Sequence, residues 1–160
     1  PTVYCDMDQV LVNLLKGAEK VLGQPLDSFK GPEAKQDRWK RINAVKDFWE
    51  NLEWMPNAKK LYQFIARYDT KILSAYTNKD PNSRNGKMKW LSKNTNFKRK
   101  DIHLVMRSEK QNYAVSDGKP NVLIDDHPKN IREWEAKGGI GILHTSVSKS
   151  MSELKRLGFK

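Results

Sequence analysis

Five short apolar runs limit what this chain can fold into: Thr2-Val-Tyr-Cys5, Lys71-Ile-Leu-Ser-Ala75, Ile102-His-Leu-Val-Met106, Asn121-Val-Leu-Ile-Asp125 and Ile140-Gly-Ile-Leu143. Each is too brief to be a helix and rich in β-branched and large apolar residues, as buried strands are. Helical patterns lie between them. Leu61, Phe64, Ile65 and Tyr68 share one helical face after Pro56-Asn57, and a basic segment containing Met88, Trp90 and Leu91 follows Asp80-Pro81. Pro128 to Lys137 turns Ile131 and Trp134 to one side and stops at Gly138, and Ser148 to Leu157 stops at Gly158. Glycine just past the last periodic residue suits the left-handed position that ends many helices. Strands that are apolar throughout and alternate with helices predict a parallel sheet covered on both faces, so the fold class is α/β.

The stretch 13–55 departs from this pattern. It holds no clear strand, and its helical patterns are broken at Gly23-Gln-Pro25 and Gly31-Pro32. It reads as a helical cap inserted after the first strand, with residues 1–12 and 56–160 forming the core. A chain of 160 residues fits one compact unit and buries about 70% of its unfolded surface. With 38% hydrophobic and 31% charged residues the composition excludes a disordered chain. No run approaches the roughly 18 apolar residues of a membrane span, and the amino terminus shows no basic-then-apolar leader pattern. A cytoplasmic location is the resulting expectation. The single cysteine, Cys5, has no internal partner for a disulfide and reads as a buried structural thiol.

Ligands of open α/β sheets bind outside the carboxyl ends of the strands. The polar residues that end these runs therefore converge: Asp6 and Asp8, Ser74, and Asp125 with Asp126. Single aspartates commonly end strands as turn or cap residues, but two pairs on one sheet edge make a dense negative site. Such carboxylates share protons or surround a hard cation, and an all-oxygen donor set suits Mg2+.

The run Asp6-Met-Asp8-Gln-Val10-Leu resembles the signature of haloacid dehalogenase (HAD) superfamily phosphatases, and the other markers follow in order. Ser74 resembles the second motif, with Thr77 as its rival; Lys110 the third, with Lys119 as its rival; and Leu123-Ile-Asp125-Asp126 the acidic fourth. The resemblance implies a Rossmann-like three-layer core with a small helical cap. It also implies Asp6 as nucleophile, Asp8 as the acid and then the base, and Ser74 and Lys110 on the phosphoryl oxygens. Magnesium would sit between Asp6, the Asp8 backbone carbonyl, and Asp125 or Asp126. Gln9 departs from the Gly, Thr or Ser of many relatives and bears on the local turn.

Phe48-Trp-Glu-Asn-Leu52-Glu-Trp-Met-Pro56-Asn-Ala58 resembles the segment between cap and core in 5′(3′)-deoxyribonucleotidases. That resemblance implies a nucleoside monophosphate substrate, with Phe48 and Trp49 stacking on its base, a contact worth roughly 1 to 3 kcal/mol. With helical neighbours Val45 and Leu52, the same two residues also suit the cap's own core. Trp54 and Asn57 depart from the usual Pro and Gly. Related enzymes often form homodimers.

Charge points to a rival substrate. The net charge is +11, and from Lys79 to Lys100 the cations Lys79, Arg84, Lys87, Lys89, Lys93, Lys98, Arg99 and Lys100 face one acid, Asp80. Such a face fits a nucleic-acid backbone, which would make the chain a polynucleotide end phosphatase, or it is an ordinary solvated surface. A non-catalytic nucleic-acid-binding protein is the reading from another class, and four clustered acids near a polyanion argue against it. The mononucleotide ranks first because the cap match is local and the charge diffuse. His103 reads as strand packing, His127 as a loop residue within reach of the acids, and His144 as the end of the last strand.

Overall fold

The computed structural model describes all 160 residues. The strands are β1 (Val3–Cys5), β2 (Thr70–Ala75), β3 (Ile102–Val105), β4 (Val115–Ser116), β5 (Lys119–Pro120), β6 (Val122–Asp125) and β7 (Ile140–Leu143). Five of them form one parallel sheet in the order β3-β2-β1-β6-β7, and these are the five apolar runs. β4 and β5 form a separate hairpin that the sequence did not announce.

The strands are apolar throughout because both faces are covered. Side chains alternate across a strand, so Val3, Cys5, Ile72, Val122, Ile124 and Ile142 enter one core with Leu61, Phe64 and Ile65 of α3 (Ala58–Ile65). Trp90 and Leu91 of α4 (Ser83–Asn94) and Leu154 of α6 (Val147–Arg156) complete that layer. On the opposite face Tyr4, Leu73 and Leu123 meet Ile131 and Trp134 of α5 (Pro128–Ala136). Burying a large apolar side chain stabilises by about 1.5 to 3 kcal/mol, and the indole N–H of Trp134 also donates to the Asn121 carbonyl at 3.0 Å. Gly138 ends α5 in the left-handed region at φ 97°, as its position predicted.

Residues 13–55 fold into α1 (Leu14–Leu22), a 3₁₀ turn at Leu26–Ser28 and α2 (Pro32–Asn43). Asn13 caps α1 by accepting from the Lys16 N–H at 3.2 Å, and Gly23 ends it at φ 76°. Ala18, Leu22, Phe29, Ile42, Phe48 and Trp49 form an apolar cluster apart from the sheet's core. The chain leaves and returns side by side: the Asn13 N–H donates to the Glu53 carbonyl at 2.8 Å and the Met55 N–H to the Leu11 carbonyl at 2.7 Å. No helix is long and apolar enough to cross a membrane.

Cys5 is fully buried, and burial, then Asp6, pushes its thiol well above the usual range, leaving it inert. His103 packs on β3 with its ring 4.9 Å from Tyr113. His144 is buried beside the sheet, its Nδ1 2.7 Å from the Ser150 hydroxyl. Burial holds its pKa below the ordinary 6.5. Below that pH the unfolded chain binds a proton the folded one resists, so stability is full above about 6.5 and falls as the pH drops through the folded pKa. His144→Gln is therefore expected to flatten the acid-side loss of thermal midpoint, as read by a pH series of melting curves.

Candidate active site

β1 carries Asp6 to the carboxyl edge of the sheet, where its N–H makes a rung to the Ile124 carbonyl at 3.0 Å. The residue is 5% exposed, and its carboxylate accepts from the Met7 N–H at 2.8 Å and from Lys110 Nζ at 3.2 Å. The neighbouring strand β6 ends on Asp125, which is wholly buried. Asp125 Oδ2 accepts from Lys110 Nζ at 2.8 Å and Asn130 Nδ2 at 3.0 Å, and its Oδ1 accepts from the His127 N–H at 2.9 Å. One ammonium thus bridges two carboxylates that belong to adjacent strands.

Asp6, Asp125 and Asp126 each bring an oxygen within 4.8 Å of the others. Burial, then the Asp125 charge, raises the Asp6 carboxyl well above the usual carboxylate range, with Lys110 opposing. Burial and then Asp125 also raise Asp126. Burial alone would lower Lys110, but Asp6 and Asp125 outweigh it and hold the ammonium far above an ordinary lysine. Three acids against one cation leave the site short of positive charge. An all-oxygen donor set with that deficit fits a hard divalent cation. Asp125 has both oxygens engaged, whereas no other side chain donates to half-buried Asp126. A cleft of about 510 Å³, lined in part by Gln9, Met55, Asp126, His144 and Ser146, opens onto the acids at Asp126.

Asp8 sits in a tight loop in which the Met7 carbonyl accepts from the N–H groups of Val10, Leu11 and Val12 at 3.1, 2.8 and 2.9 Å. Gln9 takes the left-handed conformation at φ 63°, and its side-chain oxygen accepts from the Leu15 N–H at 2.9 Å, so the departure at this position anchors α1. The Asp8 carboxylate points to a second lysine: Lys87 Nζ donates to Asp8 Oδ2 at 2.8 Å, to the Ser74 hydroxyl at 3.0 Å and to the Ala75 carbonyl.

Lys87 is 2% exposed. It therefore does not belong to the basic face that the cations from Lys79 to Lys100 suggest, and its burial corrects that expectation. Ser83, Gly86, Lys87, Trp90 and Leu91 are the buried residues of α4, at helical spacing, so the periodicity is present beneath the charge count. The other cations of that face, Lys79, Arg84, Lys89, Lys93, Lys98, Arg99 and Lys100, are exposed. Ser74 is buried at the end of β2 beside Lys87, whereas Thr77 lies past the strand and accepts from the Lys79 N–H at 3.1 Å. Lys110 reaches the acids from a 3₁₀ segment at Arg107–Tyr113, and Lys119 is exposed on β5.

Phe48 and Trp49 are 7% and 3% exposed. Trp39 stacks on Trp49 at 6.1 Å and 13°, and Phe48 meets Trp49 edge-on at 5.3 Å. Both complete the apolar cluster of residues 13–55. His127 is exposed and caps α5, its Nδ1 accepting from the Lys129 N–H at 3.3 Å.

The model of the family described as 5′ nucleotidase, deoxy (Pyrimidine), cytosolic type C protein matches residues 1–157. No curated protein matches the chain. Among solved structures it is similar to a hydrolase from Streptococcus pneumoniae (13% identity, 96% of this chain and 97% of that one, TM-score 0.56). A HAD family enzyme from Bacteroides thetaiotaomicron is comparable (18% identity, 97% and 98% covered, TM-score 0.52). So is L-2-haloacid dehalogenase from Xanthobacter autotrophicus (10% identity, 99% and 84% covered, TM-score 0.51). These likenesses give the same α/β fold, and the family match spans nearly the whole chain. The chain therefore belongs to the deoxy (pyrimidine) cytosolic type C 5′-nucleotidase family, on the fold it shares with HAD family enzymes.

Proposed function

We propose that this enzyme is a magnesium-dependent phosphomonoesterase that hydrolyses deoxynucleoside and nucleoside monophosphates through an aspartyl phosphate on Asp6. The observation that supports the reading is the Lys110 bridge between Asp6 and Asp125 at 3.2 and 2.8 Å, two buried carboxylates on one ammonium that is also suited to a phosphoryl oxygen. The substrate class rests on the family's description, which names deoxy pyrimidine nucleotides. The same description supports a cytoplasmic enzyme.

Asp6, Asp126 and the Asp8 carbonyl would hold Mg2+, with Asp125 behind them. When bound, the ion supplies the positive charge that ionises Asp6 and offsets its repulsion from a phosphate. An Asp6 oxygen attacks phosphorus in line, and Asp8 gives its proton to the leaving oxygen. Asp8 then takes a proton from the water that releases phosphate from Asp6. Ser74 already accepts from Lys87, so its own hydroxyl proton is free to bind a phosphoryl oxygen beside the Lys110 ammonium.

A second reading is an end phosphatase for DNA or RNA. It draws on the exposed cations from Lys79 to Lys100 other than Lys87, none of which forms an ion pair. Phosphate release from deoxynucleoside 3′- and 5′-monophosphates, sugar phosphates and end-phosphorylated oligonucleotides, with magnesium and with chelator, separates the readings. Magnesium-dependent turnover of mononucleotides is expected. A strong preference for the oligonucleotide moves the assignment to the second reading, and release from none of them refutes both.

A further inference from the structure

Trp49 lies in the apolar cluster of residues 13–55, yet its polar edge and one ring contact belong to the core. Its indole N–H donates to Asp80 Oδ2 at 2.7 Å, and Asp80 is 1% exposed. Asp80 is itself fixed: its Oδ1 accepts from the Asn82 N–H at 2.9 Å in the turn that leads into α4. The α4 backbone then passes directly against Trp49 at Gly86, where an added Cβ would fall 2.3 Å from the Trp49 Cβ. One residue further, Lys87 Nζ lies 5.4 Å from the Trp49 ring centroid. That ammonium makes its three donations to Asp8, Ser74 and Ala75.

A lysine ammonium sits on a flexible four-carbon stem and has three donors to place. An aromatic face over it excludes water and favours the charge where it stands. Take the ring away and the ammonium gains room to turn toward solvent, and its grip on Asp8 loosens. We propose that Trp49 is a positioning residue: anchored by Asp80, it holds Lys87 so that Lys87 holds Asp8 in place for proton transfer to the leaving oxygen. This inference rests on the phosphomonoesterase reading above, and it gives Trp49 a role different from stacking on a base.

The test is the kcat/KM of Trp49→Leu on three esters that differ in one property each. A deoxynucleoside 5′-monophosphate has a base and a poor alkoxide leaving group. Deoxyribose 5-phosphate has the same leaving group and no base, and p-nitrophenyl phosphate has no base and a leaving group that departs without a proton. The expected result is a fall of about 10- to 100-fold on both alkyl esters in equal proportion, as misplacement of a reacting group produces, with p-nitrophenyl phosphate much less affected. A loss confined to the nucleotide means base stacking and overturns the proposal. An equal loss on all three means general structural damage and also overturns it, as does no loss on any. Should Trp49→Leu fail to fold, Asp80→Leu and Asp80→Asn read the same pattern. The asparagine keeps one acceptor, which can serve the indole only if the Asn82 N–H gives up its own, and is expected to recover part of the alkyl-ester activity that the leucine loses; equal activity in the two overturns the proposal. Wild-type enzyme inactive on all three esters refutes the phosphomonoesterase reading itself, whereas active wild type with the wrong pattern refutes the role of Trp49 alone.

Discussion

Asp6→Asn is expected to lower phosphate release by roughly 10³- to 10⁶-fold, the range seen when an enzyme loses its nucleophile, while the protein stays folded. An amide does not attack phosphorus, yet its oxygen can still accept from the Met7 N–H and from Lys110, which now stand 2.8 and 3.2 Å from Asp6 Oδ1. The substitution also removes a charge that burial and Asp125 both disfavour. In chelator the variant should therefore melt no lower than the wild type. Activity assays beside melting curves check both halves, and a variant that keeps its activity would remove Asp6 from the chemistry.

Lys110→Met is expected to cost about 3 to 5 kcal/mol of stability as well as activity, because it leaves buried carboxylates without a counter-charge. Asp6 and Asp125 are 5% and 0% exposed, and Lys110 is the one side-chain cation that both of them contact. The folded pKa of Lys110 is raised, so its contribution is fully present below the unfolded value of about 10.4 and is lost only at higher pH. The deficit should therefore appear at neutral pH in urea denaturation. Magnesium should return part of it by restoring positive charge beside the same acids. Lys119→Met, on exposed β5, is the control and should stay within about 0.5 kcal/mol of wild type.

Much of this arrangement was legible in the sequence, for a local reason. A strand buried on both faces must be apolar at every position, so five runs stood out, and the acids that end β1 and β6 had to share one sheet edge. What escaped was set by contacts distant in sequence. Lys87 looked like one cation among eight, and only its spacing from Trp90 and Leu91 marked it as inward-facing. Its partners Asp8 and Ser74 lie 79 and 13 residues away. Lys110 stands out by its order along the chain, but the 3₁₀ segment that carries it has no periodic signal. Phe48 and Trp49 fitted either a base or a core, and sequence alone cannot say which side of an aromatic is covered. The structure buries both, and Asp80, read only as the lone acid of a basic stretch, proves to be the anchor of Trp49.

Borohydride reduction during turnover, followed by peptide mass spectrometry, tests the central claim most directly, since an acyl phosphate is reduced where an ordinary carboxylate is not. With magnesium and a mononucleotide present, the account predicts homoserine at position 6 and nowhere else, and none when substrate is left out. Phosphate release with no modification at Asp6, or with the modification at Asp8 or Asp125 instead, would contradict it.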